Sequence, residues 1–135
     1  MRIRRQNHST IRGIATLEVA VALPLLLILV FGAIEATNAI FLKQTVTTAA
    51  YEGARMASKT GGTTAQAETR CEEFLESRGI TEFTFSTTPT EITPNTARGT
   101  QVIIHLSVAA DSASLGPLFT YSGKTISRSF SMVRQ

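Results

Sequence analysis

The sequence predicts an α+β protein: a long N-terminal transmembrane helix that continues into a small exported domain, where a helix packs on an antiparallel sheet of about three strands. Three observations carry this. Ile14 to Ile34 is an almost uninterrupted apolar run whose one charge is Glu18. Two stretches with helical spacing of small and apolar residues follow, up to Leu75. The last third alternates apolar and polar residues in runs separated by turn-rich segments.

With 135 residues there is room for one small domain and an anchor. Three parts are expected: a basic leader over 1–13, a transmembrane and extended helix over 14–60, and an extracytoplasmic α+β domain over 61–135. Arg2, Arg4, Arg5 and Arg12 lie in the leader and exceed the whole net charge of +3, so the remainder is slightly acidic. That distribution gives no reason to expect nucleic acid as a partner.

At about 1.5 Å per residue, Ile14 to Ile34 rises roughly 31 Å, the thickness of a bilayer's hydrocarbon core. Arginines before the run, and little positive charge after it, predict a cytoplasmic N-terminus and an exported C-terminal part. A cleaved signal peptide is the rival reading. Against it, the apolar run passes through Phe31 to Ile34 into more helix, without the turn and small-x-small site that cleavage needs. Pro24 predicts a bend, and Gly32 with Ala36 offers a small-xxx-small contact.

Beyond Glu35, the stripe Leu42, Val46, Ala49, Ala50, Gly53 and Ala57 suits close packing, either on another subunit or within the chain itself. Glu52 and Arg55 stand three apart, a spacing at which they can pair. Gly61-Gly62 ends this helix. Thr63 and Gln66 offer a capping box for the next, whose buried face is Ala67, Cys71, Phe74 and Leu75, with Gly79 as C-terminal stop.

Strands are expected over Thr81 to Thr87, Gln101 to Ala109 and Lys124 to Arg134. In the last, Ile126, Phe130 and Met132 oppose Ser127, Ser129 and Ser131. Between the second and third, a partly packed loop holds Leu115, Gly116-Pro117, Leu118, Phe119 and Tyr121.

Cys71, the single cysteine, is expected as a buried apolar side chain; a nucleophile pair with His105 lacks a third orienting group. The sequence contains no phosphate loop, nucleophile elbow or metal-ligand spacing, so neither a cofactor nor enzymatic activity is expected.

Gly13-Ile14-Ala15-Thr16-Leu17-Glu18, directly after the basic leader, resembles the prepilin-peptidase site of type IV pilin-like proteins. The resemblance implies cleavage between Gly13 and Ile14. Glu18 then becomes an assembly residue, its carboxylate neutralised by the fresh amino group of a neighbouring helix. From Glu18 to Arg55 the chain resembles the TadE-like family of tight-adherence (Flp/Tad) pilus systems, through Leu17 to Pro24, Phe31-Gly32-Ala33-Ile34-Glu35 and Ala49-Ala50-Tyr51-Glu52-Gly53-Ala54-Arg55. Pro24, Gly32, Glu35, Glu52, Gly53, Ala54 and Arg55 are its motif positions. The implied function is that of a minor pseudopilin at the inner membrane. Implied partners are a prepilin peptidase, Tad inner-membrane platform proteins, Flp pilins, a TadF-like subunit and the lipid bilayer. A membrane-anchored binding domain outside any pilus is the alternative.

Overall fold

A computed structural model describes residues 8–110 and 124–135, with side chains described from Gly13 onward. Five elements follow in order: α1 (His8–Ser58), α2 (Thr64–Glu76), β1 (Phe83–Thr88), β2 (Gln101–Ala109) and β3 (Thr125–Val133). Of the expected loop, Leu115 to Tyr121 lies outside the described residues, as do Arg2, Arg4 and Arg5 of the leader.

α1 runs without a break through Pro24. Its outer half carries many threonines, poor helix formers, and the helix accommodates them by local bonding. Thr37, Thr45, Thr47 and Thr48 each donate a hydroxyl to the carbonyl four residues back, at 2.8–2.9 Å. The helix stops where glycine permits a turn that other residues resist. Gly61 has φ of +80°, and the Gly62 N–H bonds the Lys59 carbonyl at 2.9 Å.

α2 begins with the expected capping box. The Gln66 N–H donates to Thr63 Oγ1, and the Thr63 N–H donates to Gln66 Oε1. It ends in a Schellman pattern: Ile80 N–H bonds the Leu75 carbonyl, Gly79 N–H bonds that of Glu76, and Gly79 has φ of +77°. Leu75 and Ile80, which such a motif brings together, are both buried.

The sheet has the order β1-β2-β3 and is antiparallel throughout, with Phe85 opposite Leu106 and Ile104 opposite Phe130. β2 supplies Val102, Ile104, Leu106 and Val108 to the core from alternate positions. Phe83, Phe85, Ile126, Phe130 and Met132 pack around them. Gln101 and His105 on β2, and Ser127, Ser129 and Ser131 on β3, are exposed, which gives the sheet its wet side.

The α+β class is as expected, but the helix laid on the sheet is the second half of α1, which packs on β2 and β3 and carries α2 against its flank, whereas the sequence points to the helix of the 61–135 domain. The small-residue stripe of α1 lets the sheet come close. Leu42, Val46, Ala49, Ala50, Gly53 and Ala57 are all buried within the single chain. Of the two readings of that stripe, packing within the chain is the one observed. Glu52 does not face Arg55. It pairs with Arg70 of α2 at 3.7 Å, because α2 lies along that side of α1 and brings a guanidinium closer than the helix's own next turn does. Arg70 also meets Glu73 at 3.3 Å, so this is a surface network worth at most about 1 kcal/mol.

Candidate functional site

The inner part of α1 is helix without a core. Ile14, Leu17, Val21, Leu23 and Leu25 through Val30 are all exposed, Val21 by as much as 71%. Transferring each such side chain from water into an apolar environment is worth about 1.5–3 kcal/mol, so this surface is one that an apolar environment would stabilise. The segment is long and apolar enough to cross a membrane.

Gly13, Ile14 and Glu18 stand exposed on this bare helix, in unbroken helical conformation. A Cβ at Gly13 would meet nothing within 4 Å, so no packing among the described residues requires glycine there. Pro24 lies in the middle of the exposed stretch. Gly32 is half-buried. Glu35 is 3% exposed, and among the described residues neither its carboxylate oxygens nor Nδ2 of Asn38 on the next turn has a hydrogen-bond partner. The sequence marks Glu35 as a motif position but gives no sign of its burial.

The second motif cluster sits where α1 meets everything else. Tyr51 stacks edge-on against Phe130 of β3, with ring centroids 5.2 Å apart and planes at 87°. Glu52 reaches α2 through Arg70. Gly53 is where α1 and α2 come closest: a Cβ there would collide with Cys71 Sγ and stand 3.3 Å from the Ala67 carbonyl oxygen. Ala54 is fully buried and Arg55 exposed. Four adjacent residues thus join the helix to β3, to α2 and to the core. This part of the motif is a packing joint.

Cys71 donates its thiol to the Ala49 carbonyl at 3.4 Å. Burial pushes its pKa up to about 12; a Gly53 backbone hydrogen bond opposes the shift and the Glu68 charge adds to it. His105 is exposed on the wet side of the sheet, with Nε2 3.3 Å from Thr88 Oγ1. The two do not form a pair. A thiol held protonated is unreactive, so Cys71 in the folded chain is expected to resist a disulfide reagent at pH 8 and to react at once in denaturant. Because the folded pKa lies above the ordinary value of 9.0, the contribution of Cys71 to stability is complete below pH 9 and declines as pH rises toward 12. Alkaline melts of the native chain and of Cys71→Ala should therefore converge in that window.

Among the described residues no group of three or more His, Cys, Asp or Glu is placed to hold a metal ion.

A single apolar helix that runs unbroken into an α+β domain, with its motif residues divided between a bare inner half and a packed joint, defines a helix-borne domain able to be membrane-anchored. Residues 13–55 match the family model described as TadE-like protein, so the segment that carries both motif clusters is similar to that family. The match ends at Arg55, and α2 and the sheet lie beyond it. No curated protein and no solved structure matches the chain.

Proposed function

We propose that this chain is a minor pseudopilin that acts in assembling a tight-adherence pilus, by helix packing and charge pairing within the membrane. The observation that carries the reading is Glu18. It is an exposed acid four residues beyond Ile14, near the start of the apolar exposed stretch of α1. A carboxylate in a spanning helix costs up to about 2.5–3.5 kcal/mol at mid-membrane. A positive partner on a neighbouring subunit offsets that cost, and the amino group released by cleavage after Gly13 is one of the right charge and depth.

In this reading the basic leader stays in the cytoplasm, a prepilin peptidase removes it, and the sheet domain faces the envelope. Flp pilins, a TadF-like subunit and the inner-membrane platform proteins are the neighbours of α1. The TadE-like match of residues 13–55 supports an association with Tad machinery.

Two measurements test the proposal. After expression beside the cognate peptidase, mass spectrometry should find Ile14 as the first residue; an intact Met1 would favour a permanent anchor. Glu18→Ala should insert at least as well as the native chain while pilus assembly falls sharply. Normal piliation in that strain would remove charge pairing from the mechanism.

A further inference from the structure

The apolar surface of α1 does not stop at Ile34. Ile40 is 57% exposed and Phe41 53%, one to two turns farther out. From Ile14 to Phe41 the helix rises about 42 Å, which matches a bilayer of about 40–45 Å measured across its headgroups as well as its hydrocarbon core. With Ile14 at the inner headgroup face, a placement several ångströms shallower than one that fills the hydrocarbon core with Ile14 to Ile34, Phe41 lies in the outer headgroup layer. The buried Glu35 then lies about 9 Å below it, shielded from lipid by the protein.

The rest of the domain delivers a cation to the same level. α2 runs back along α1, and just past its C-terminus the Arg78 guanidinium lies between two rings, 5.7 Å from the centroid of Phe41 and 5.3 Å from that of Phe74. Arg78 remains exposed, so its charge is positioned by the rings but still open to an outside group. Nearby in sequence, Glu76 and Glu82 are exposed as well, so the face is no broad basic patch. What distinguishes it is a ring and a pinned cation at one depth. Phe41 lacks the polar edge that draws Trp and Tyr to the headgroup layer, so the level is set by the cation beside it. Long cationic side chains hold their charge among headgroups while their stems lie on apolar surface, here the Phe41 and Phe74 rings.

We propose that Ile40, Phe41 and Arg78 form a lipid-headgroup contact through which the underside of the domain rests on the outer leaflet, with the Arg78 guanidinium on a phospholipid phosphate. The contact fixes the height and lean of the sheet domain above the membrane. It rests on α1 being a spanning helix and goes beyond that reading, because a spanning helix could equally hold its domain clear of the lipid.

The chain has no tryptophan, so single-tryptophan variants report position directly. Three are made in the full-length chain and reconstituted in phosphatidylcholine vesicles with bromine either high or low on the acyl chains. Leu25→Trp checks insertion and should be quenched most by the deep bromines. Phe41→Trp, which keeps a ring beside Arg78, should show blue-shifted emission and be quenched more by the shallow bromines than by the deep. Lys59→Trp, just past the far end of α1, should be quenched by neither. Adding Arg78→Glu to Phe41→Trp should shift emission to the red and reduce shallow quenching. If Leu25→Trp is quenched while Phe41→Trp emits as in water and is untouched by either bromine, the headgroup contact is wrong and the spanning helix stands. If Leu25→Trp is not quenched, both fall together.

Discussion

Replacing Gly53 with valine is expected to separate α1 from α2 and to lower the melting temperature of the detergent-solubilised chain by more than 10 °C. Glycine in a helix interior ordinarily costs about 1 kcal/mol relative to alanine, so Gly53→Ala would raise stability wherever space allowed it. Space does not allow it here. The new Cβ collides with Cys71 Sγ and stands 3.3 Å from the Ala67 carbonyl oxygen, which belongs to the backbone of α2 and can move only if that helix moves. Overpacking of this kind costs about 1–3 kcal/mol, enough to reverse the propensity gain for alanine and to exceed it well for the β-branched valine. A shift of about 4–8 °C per kcal/mol in a domain this small makes the difference measurable by circular dichroism. Cys71→Ala removes the sulfur from the collision, so the double variant Gly53→Ala/Cys71→Ala should recover part of the loss. A stabilised Gly53→Ala single variant would show that the two helices do not approach this closely in solution.

The residues at that crossing show which part of the fold was legible in the sequence. The α2 cap could be read because Thr63 and Gln66 lie three apart, and the central strand because Val102, Ile104, Leu106 and Val108 alternate; both signals are local. The burial of Cys71 followed from its place on a helical stripe. The partner of Glu52 did not, since Arg70 reaches it only once α2 has folded back, and spacing along one helix pointed to Arg55. Gly53 could be recognised as a motif position, but its steric reason resides in a sulfur eighteen residues away that only the helix crossing brings near. Glu35 was likewise legible as a motif position and not as a buried acid with unpartnered oxygens. For Gly13, Ile14 and Glu18 the reverse holds. Sequence context carries nearly the whole argument there, because their proposed partners belong to other molecules.

Arg134 illustrates the same limit and leads to the second large effect. In the sequence it closes a strand. In the fold it is 3% exposed, with Nη1 donating to the Ala57 and Gly62 carbonyls at 3.0 and 3.1 Å and Nη2 to those of Thr93 and Pro94 at 2.9 and 3.2 Å. One planar group thereby ties the end of α1, the turn before α2 and the loop between β1 and β2 to the end of β3. Its buried charge is answered by carbonyl dipoles, one of them in the last turn of α1, where a helix presents partial negative charge. Arg134→Met keeps much of the apolar stem and leaves four inward-facing carbonyls without these donors. By analogy with breaking a buried charge pair it is expected to cost about 3–5 kcal/mol. Arg134→Lys keeps the charge, but a single ammonium cannot reproduce the planar fork that meets two pairs of carbonyls, so it should fall between the two. Neither change touches the bare half of α1. Insertion measured by flotation should therefore survive while chemical denaturation of the domain built from the end of α1, α2 and the sheet shifts to lower denaturant. If Arg134→Met melts as the native chain does, the fork contributes no net stability, and the ends of α1 and β3 must be held by backbone bonds such as that from Gln135 N–H to the Ser58 carbonyl.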